Sequence, residues 1–302
     1  MLIVKNSYGT GILLVTLSYL LFSSHDALIK ILVVSVTTWQ ILFFRSSTVL
    51  IGCLIIGGRQ TATRAVRSSI IKPMAIRSIF LIAAWISYYT AAKSLQLGQL
   101  TTIYFAAPVV ATLLAGPMLG ETVSISRWLA VIIGFIGVVV ASDPAGLTIS
   151  LPVYLVFQAA CLWAFCMVLL RRTAMHETSL VQMIITNFFF VLFSGGMVLM
   201  SWTSINLTTA GLLAAVGVIG GLAQFTAFEA MRRAPVSVLA PFEYSSLVWA
   251  FVLGYLIWGD IPALHVAIGA VLIGCAGLII IFNEKLGRKI RSSDDGGERQ
   301  AL

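Results

Sequence analysis

Residues 91–100 read AAKSLQLGQL and residues 230–239 read AMRRAPVSVL, an offset of 139 positions (230 minus 91). At the same offset PMLGE (117–121) meets LIWGD (256–260), and one inserted residue later GFIG (134–137) meets GCAG (274–277). QILFFR (40–45) and QMIITN (182–187) extend the correspondence more weakly. Few residues are identical, but the matches are collinear over most of each half. They divide the chain into two copies of one unit. How the copies are related depends on how often each crosses a membrane.

That a membrane is involved follows from composition. Of 302 residues, 59% are hydrophobic and 10% charged, with a mean hydropathy of +1.01. Soluble domains are about 45–50% apolar and about 25% charged, so lipid must solvate much of this chain. A crossing needs about 20 mostly apolar residues. Cutting at charged, Gly/Pro and Ser/Thr-rich breaks predicts ten spans, near 11–34, 38–57, 77–96, 99–119, 125–142, 151–171, 179–200, 208–230, 236–258 and 263–282. The first is read as a retained helix, because a run of that length exceeds the core of a cleavable signal.

Basic residues set the orientation. Lys5, Arg59, Arg64, Arg67, Lys72, Arg77, Arg127, Arg171, Arg172, Arg232, Arg233 and five residues after the last span put 16 of the 19 Lys and Arg on one side. The positive-inside bias then places both termini in the cytoplasm of a multi-pass inner-membrane protein. The same placement explains the net charge of +8 without nucleic acid as a partner. The chain is thus expected to be an all-α membrane protein of ten transmembrane helices in two five-helix repeats, residues 1–145 and 146–285, with a disordered cytoplasmic tail at 286–302. Because five is odd, the copies enter the membrane in opposite directions. Inverted repeats are a recurring plan of secondary transporters that bind substrate near the midplane.

Ten spans, a 5+5 repeat and a Pro-containing helix ending in Gly-acid in each copy resemble the drug/metabolite transporter superfamily, EamA type. DALIK (26–30), QILFFRSS (40–47) and APFEYSSLVWAFVLGYLIWGD (240–260) carry the likeness to a bacterial branch. The resemblance implies a central cavity lined by the first, third, fourth, sixth, eighth and ninth helices. It also implies a small organic cargo, a vitamin or cofactor-like solute such as riboflavin or S-adenosylmethionine. Export of amino acids or drugs is the alternative, and a homodimer is left open.

The polar residues inside the spans are the candidate site. In FSSHDALIK (22–30), Asp26 and Lys30 are spaced i,i+4 and share a helix face. Counting about 1.5 Å per residue from the span ends puts Lys30 roughly 8 Å deep, Asp26 roughly 13 Å and Arg45 roughly 10 Å. His25, Asp26, Lys30 and Arg45 can therefore meet at one level. The plainer readings are a snorkelling Lys30 and a structural Asp26–Arg45 ion pair; the functional reading makes His25, Asp26 and Arg45 a gate or substrate contact. Glu243 lies roughly 10 Å deep on a 1.5 Å rise, just after Pro241, and its repeat counterpart Tyr104 precedes Pro108. With Tyr244 beside it, this is where a discontinuous-helix site is expected. Trp85, Tyr88 and Tyr89 on the third helix, Trp163 on the sixth and Trp249 on the ninth either pack or line the cavity; if they line it, they favour a ring-bearing or cationic ligand. Gly217, Gly220, Gly221, Gly269, Gly274 and Gly277 are read as sites of close helix contact.

Other classes fit less well. An intramembrane enzyme would need a motif such as GxSxG or HExxH, and an ATP-driven pump a GxxxxGK[ST] loop; the chain has none of these. The four cysteines lack ligand spacing and read as buried small hydrophobes, so no metal or cofactor is expected. A non-catalytic scaffold would not need mirrored prolines beside polar residues.

Overall fold

In the computed structural model, which describes residues 7–119, 125–141, 150–173, 177–233, 242, 245–276 and 278–279, every regular element among the described residues is a helix. In chain order they are α1 (Ser7–Leu32), α2 (Thr38–Val66), α3 (Ile71–Ala92), α4 (Leu97–Tyr104), α5 (Ala106–Leu119), α6 (Ile125–Ala141), α7 (Leu151–Thr173), α8 (Ser179–Met200), α9 (Leu207–Arg233) and α10 (Ser245–Trp258). A further apolar helix, α11, covers Leu264–Ala276. Six of them, α1, α2, α3, α7, α8 and α9, are long and apolar enough to cross a membrane.

Local chemistry explains where the helices stop and start. The turn between α1 and α2 carries a capping box. The Thr37 hydroxyl accepts from Gln40 N at 3.3 Å, and the Gln40 side-chain oxygen accepts from Thr37 N at 3.2 Å, satisfying two otherwise orphaned donors. The same amide reaches the α8–α9 connection: Gln40 Nε2 donates to Thr203 O at 2.7 Å, and Thr203 N donates to Gln40 Oε1 at 3.2 Å.

The expected span 99–119 is broken into α4 and α5 at Phe105, whose N–H bonds back to Thr101 O and Thr102 O. Pro108 has no N–H to offer the carbonyl of Tyr104, four residues earlier, so the regular ladder cannot continue there. α2 also bends, at Gly58 (φ 62, ψ −171), a left-handed conformation natural to glycine.

α1 packs most extensively on α9, α2 on α8 and α3 on α7; α5 also lies on α7, and α10 on α1 and α4. The core between them holds Ile29, Leu32, Ile41, Leu42, Leu97, Leu100, Ile103, Phe190 and Leu213. Many aliphatics instead face outward, among them Ile55, Ile56, Leu199, Leu256 and Leu264. Such exposure suits lipid as the surrounding solvent. α6 and α11 meet backbone to backbone: a Cβ on Gly269 would sit 2.5 Å from Gly137 O, and one on Gly137 would sit 2.9 Å from Gly269 O. Gly274, expected to make such a contact, has open space around it, and Gly277 lies outside the described residues. Cys275, read as a buried hydrophobe, is exposed, whereas Cys53 and Cys166 are buried.

Arg77 departs from its expected place in the cytoplasmic loop. It lies within α3, buried, with Nε donating to Cys166 O on α7 at 3.3 Å. The helix starts earlier than the apolar run because Ile70–Ile71 already supplies buried aliphatic surface beside Met74.

Candidate functional site

α1 presents His25 and Asp26 as neighbours, about 100° apart around a helix of 3.6 residues per turn, so the two side chains diverge enough to meet different helices. His25 Nδ1 lies 3.1 Å from Asp26 Oδ1. Arg45 on α2 donates from Nε to His25 Nε2 at 3.0 Å. An arginine only donates, so Nε2 must accept, and the imidazole carries its single proton on Nδ1, directed at Asp26. His25 is therefore neutral, a bridge between a guanidinium and a carboxylate.

The expected direct Asp26–Arg45 ion pair is corrected by this arrangement: the imidazole occupies the space between the charges. The expectation that Lys30 joins the cluster is corrected too. Lys30 turns away to Asp260, with Nζ 3.2 Å from Oδ2 and 4.5 Å from the centre of the Trp258 ring. Gly259 at φ 69 turns the chain after α10, and Asp260 N bonds back to Gly254 O at 3.2 Å. A helix-end acid thereby meets a lysine on α1.

α3 supplies the rest of the polar shell. Tyr88 donates its hydroxyl to Asp26 Oδ2 at 3.0 Å, so both carboxylate oxygens are engaged. The Arg45 guanidinium carbon stands 3.6 Å over the Trp85 ring, a stacked cation contact that offsets part of the cost of burying the charge. Trp85 is braced edge-on by Phe190 of α8 at 5.2 Å. From Tyr88 an aromatic path runs to Tyr104 (5.1 Å between centroids) and on to Trp163 of α7 (6.4 Å). His25 and Arg45 are buried, while the Asp26 side chain keeps 28% exposure. Within the triad the carboxylate is the accessible charge.

Six of the eight candidate residues, His25, Asp26, Arg45, Tyr88, Tyr104 and Trp163, thus form one connected set. Glu243 and Tyr244 lie outside the described residues. Two further residues, read from the sequence only as a cavity-or-packing aromatic and a close-contact glycine, join the cluster. Tyr89 is buried with a hydroxyl that has no hydrogen-bond partner among the described residues, within electrostatic range of Arg45 and Asp26. Gly220 of α9 closes the cluster from behind, because a Cβ there would meet His25 Cδ2 at 2.8 Å and Arg45 Nε at 3.1 Å. The neighbouring Gly217 and Gly221 seat Thr48 and Val49 of α2 in the same way, as their grouping on one helix implies.

A buried charge triad facing aromatic rings, in an all-helical apolar chain, can be compared with known proteins. The model of the EamA-like transporter family matches residues 9–142. Similarity to proteins named as transporters continues through the second half. An S-adenosylmethionine uptake transporter of Rickettsia prowazekii (strain Madrid E) is 25% identical over 282 residues, covering 92% of this chain and 95% of that one. A riboflavin transporter of Vibrio cholerae serotype O1 is 26% identical over 193 residues, 64% of each chain. A solved crystal structure at 18% identity superposes with a TM-score of 0.61, over 95% of this chain and 98% of the other, and shows the shared fold. The chain is a multi-pass membrane protein by its apolar helices, and it is similar over most of its length to proteins named as transporters of small metabolites.

Proposed function

We propose that this transporter carries a cationic, ring-bearing metabolite of the S-adenosylmethionine type, bound against Asp26 and the Tyr88–Tyr104–Trp163 wall, across the bacterial inner membrane. The observation that carries the reading is the partly exposed Asp26 carboxylate at the head of the aromatic path Tyr88–Tyr104–Trp163. A carboxylate meets a sulfonium or ammonium charge, and ring faces add cation–π and stacking contacts. The cargo for which the Rickettsia relative is named is of this class. The riboflavin reading keeps the aromatic wall but leaves the carboxylate without a charge to meet.

The mechanism is alternating access between inverted halves, residues 1–145 and 146–285, with both termini cytoplasmic. The helix contacts support the repeat. Exchanging each helix for its counterpart carries α1 on α9 into α7 on α3, and α5 on α7 into α10 on α1. It returns α2 on α8 and α6 on α11 to themselves. Tyr104, at the break between α4 and α5, sits where a transporter's interrupted helix meets its cargo. Glu243 and Tyr244 would complete the site from the mirrored helix.

Uptake of radiolabelled S-adenosylmethionine into vesicles holding the purified chain tests the substrate. Saturable uptake that excess unlabelled S-adenosylmethionine blocks, and that riboflavin at equal concentration does not, is the expected result. Riboflavin uptake without S-adenosylmethionine uptake would shift the assignment to the second reading.

The Lys30–Asp260 pair joins the two halves at the end of the bundle where α1 stops and α10 ends. Opening that end requires breaking it. A partly exposed pair contributes up to about 1 kcal/mol, which corresponds to roughly a fivefold shift in the open population. Lys30→Gln is expected to speed hydrogen–deuterium exchange at the ends of α1 and α10 by about that factor, and the reversed pair Lys30→Asp with Asp260→Lys to restore it. Unchanged exchange in Lys30→Gln would show that the pair does not hold this end closed.

A further inference from the structure

We infer that the basic cleft at the bend of α2 is a binding site for the phosphate-bearing headgroup of an anionic phospholipid. The cleft is open, about 740 Å³ in volume, and its walls include Arg59, Arg64, Arg67, Ser68, Ser69 and Glu177. It exists because Gly58 takes a left-handed conformation (φ 62). The helix therefore changes direction just before Arg59, and Arg59–Val66 no longer continues the axis of the spanning segment. Ala65 is buried and anchors the bent piece against Ile70 and Met74 of the same cluster. The guanidiniums are left on the open side.

The charges inside the cleft do not cancel. Glu177 is engaged by Arg64, with Nε 2.7 Å from Oε2, and by the Ser68 hydroxyl at 2.8 Å from Oε1. Three guanidiniums against one carboxylate leave two positive charges. Arg59 and Arg67 have no ion pair among the described residues. Two free guanidiniums near a hydroxyl make a donor set suited to phosphate oxygens.

The surroundings favour a lipid as the source of that phosphate. Ile55 and Ile56 are 77% and 74% exposed immediately before the bend, and Val66 is 77% exposed at its far end. Apolar shoulders on both sides of a cationic cleft match a headgroup whose acyl chains run down the helix surface. A soluble phosphate ester would use the arginines and leave the shoulders idle. Juxtamembrane arginines attract anionic headgroups through the same physics.

The full-length protein in detergent is titrated with dihexanoylphosphatidylglycerol, dihexanoylphosphatidylcholine and glycerol 3-phosphate, with melting temperature as the readout. The phosphatidylglycerol is expected to stabilise the protein and the other two to have no effect at equal concentration. The Arg59→Gln/Arg67→Gln double variant should bind phosphatidylglycerol about thirtyfold more weakly. Both residues are exposed, and Arg59→Gln alone, with about a fivefold loss, serves if the double variant does not purify. Equal stabilisation by phosphatidylcholine, or unaltered phosphatidylglycerol affinity in the variants, overturns the site. Stabilisation by glycerol 3-phosphate that the variants lose overturns the lipid assignment in favour of a soluble phosphate ester.

Discussion

Asp26→Asn is expected to lower S-adenosylmethionine uptake by at least tenfold. The amide keeps the shape of the carboxylate and can still accept from Tyr88, so the helix packing around it is unchanged. What it loses is the charge. In the native cluster the Asp26 carboxylate balances Arg45 through the neutral His25, and its 28% exposure leaves it able to meet a cation. A hydrogen bond to a charged group contributes roughly 1.5–3 kcal/mol net, and about 1.4 kcal/mol is a factor of ten. Tyr88→Phe removes one donor to the same carboxylate and should cost only a few-fold. Initial uptake rates over a range of concentrations separate the two variants. Full flux in Asp26→Asn would remove the carboxylate from the site.

Gly220→Ala should impair transport almost as severely, through a single methyl group on a helix that carries no charge at this level. The added carbon would lie 2.8 Å from His25 Cδ2 and 3.1 Å from Arg45 Nε. His25 cannot swing aside freely, since one ring nitrogen is held by Asp26 and the other by Arg45. Either the imidazole abandons one partner or α9 moves away from α1. Overpacking of this kind costs about 1–3 kcal/mol, and here the strain falls on the charge triad itself. The comparison variant is Gly211→Ala on the same helix, where nothing lies within 4 Å; it should transport normally. Equal melting temperature and flux in the two variants would show that α9 does not set the geometry of His25.

Some of this was legible before any coordinates, and the reasons differ residue by residue. Depth counting along α1 and α2 brought His25, Asp26 and Arg45 to one level, because the rise per residue of a helix is nearly constant. It could not rank the contacts within that level. Rotation about the helix axis and side-chain rotamers put the imidazole between the charges, and neither is written in spacing. Lys30 has its partner 230 positions away, beyond the reach of any local rule. At the turn after α1, Thr37 and Gln40 stand in the capping-box pattern and begin α2 sharply. That signal was readable. The break at Phe105 was announced by Pro108, whereas the bend at Gly58 was hidden, because a Gly-Gly pair near a helix end is equally compatible with a simple stop.

Gln40 has a consequence for how the two halves can move. Its amide is tied by two hydrogen bonds to Thr203, in the turn between α8 and α9, and the Lys30–Asp260 pair lies at the same end of the bundle. In mechanical terms this end is a door hung at one corner and bolted at another. In the proposed rocking of the halves, the side-chain amide of Gln40 on the backbone N and O of Thr203 is the hung corner, and the Lys30–Asp260 bolt is the part that must be drawn.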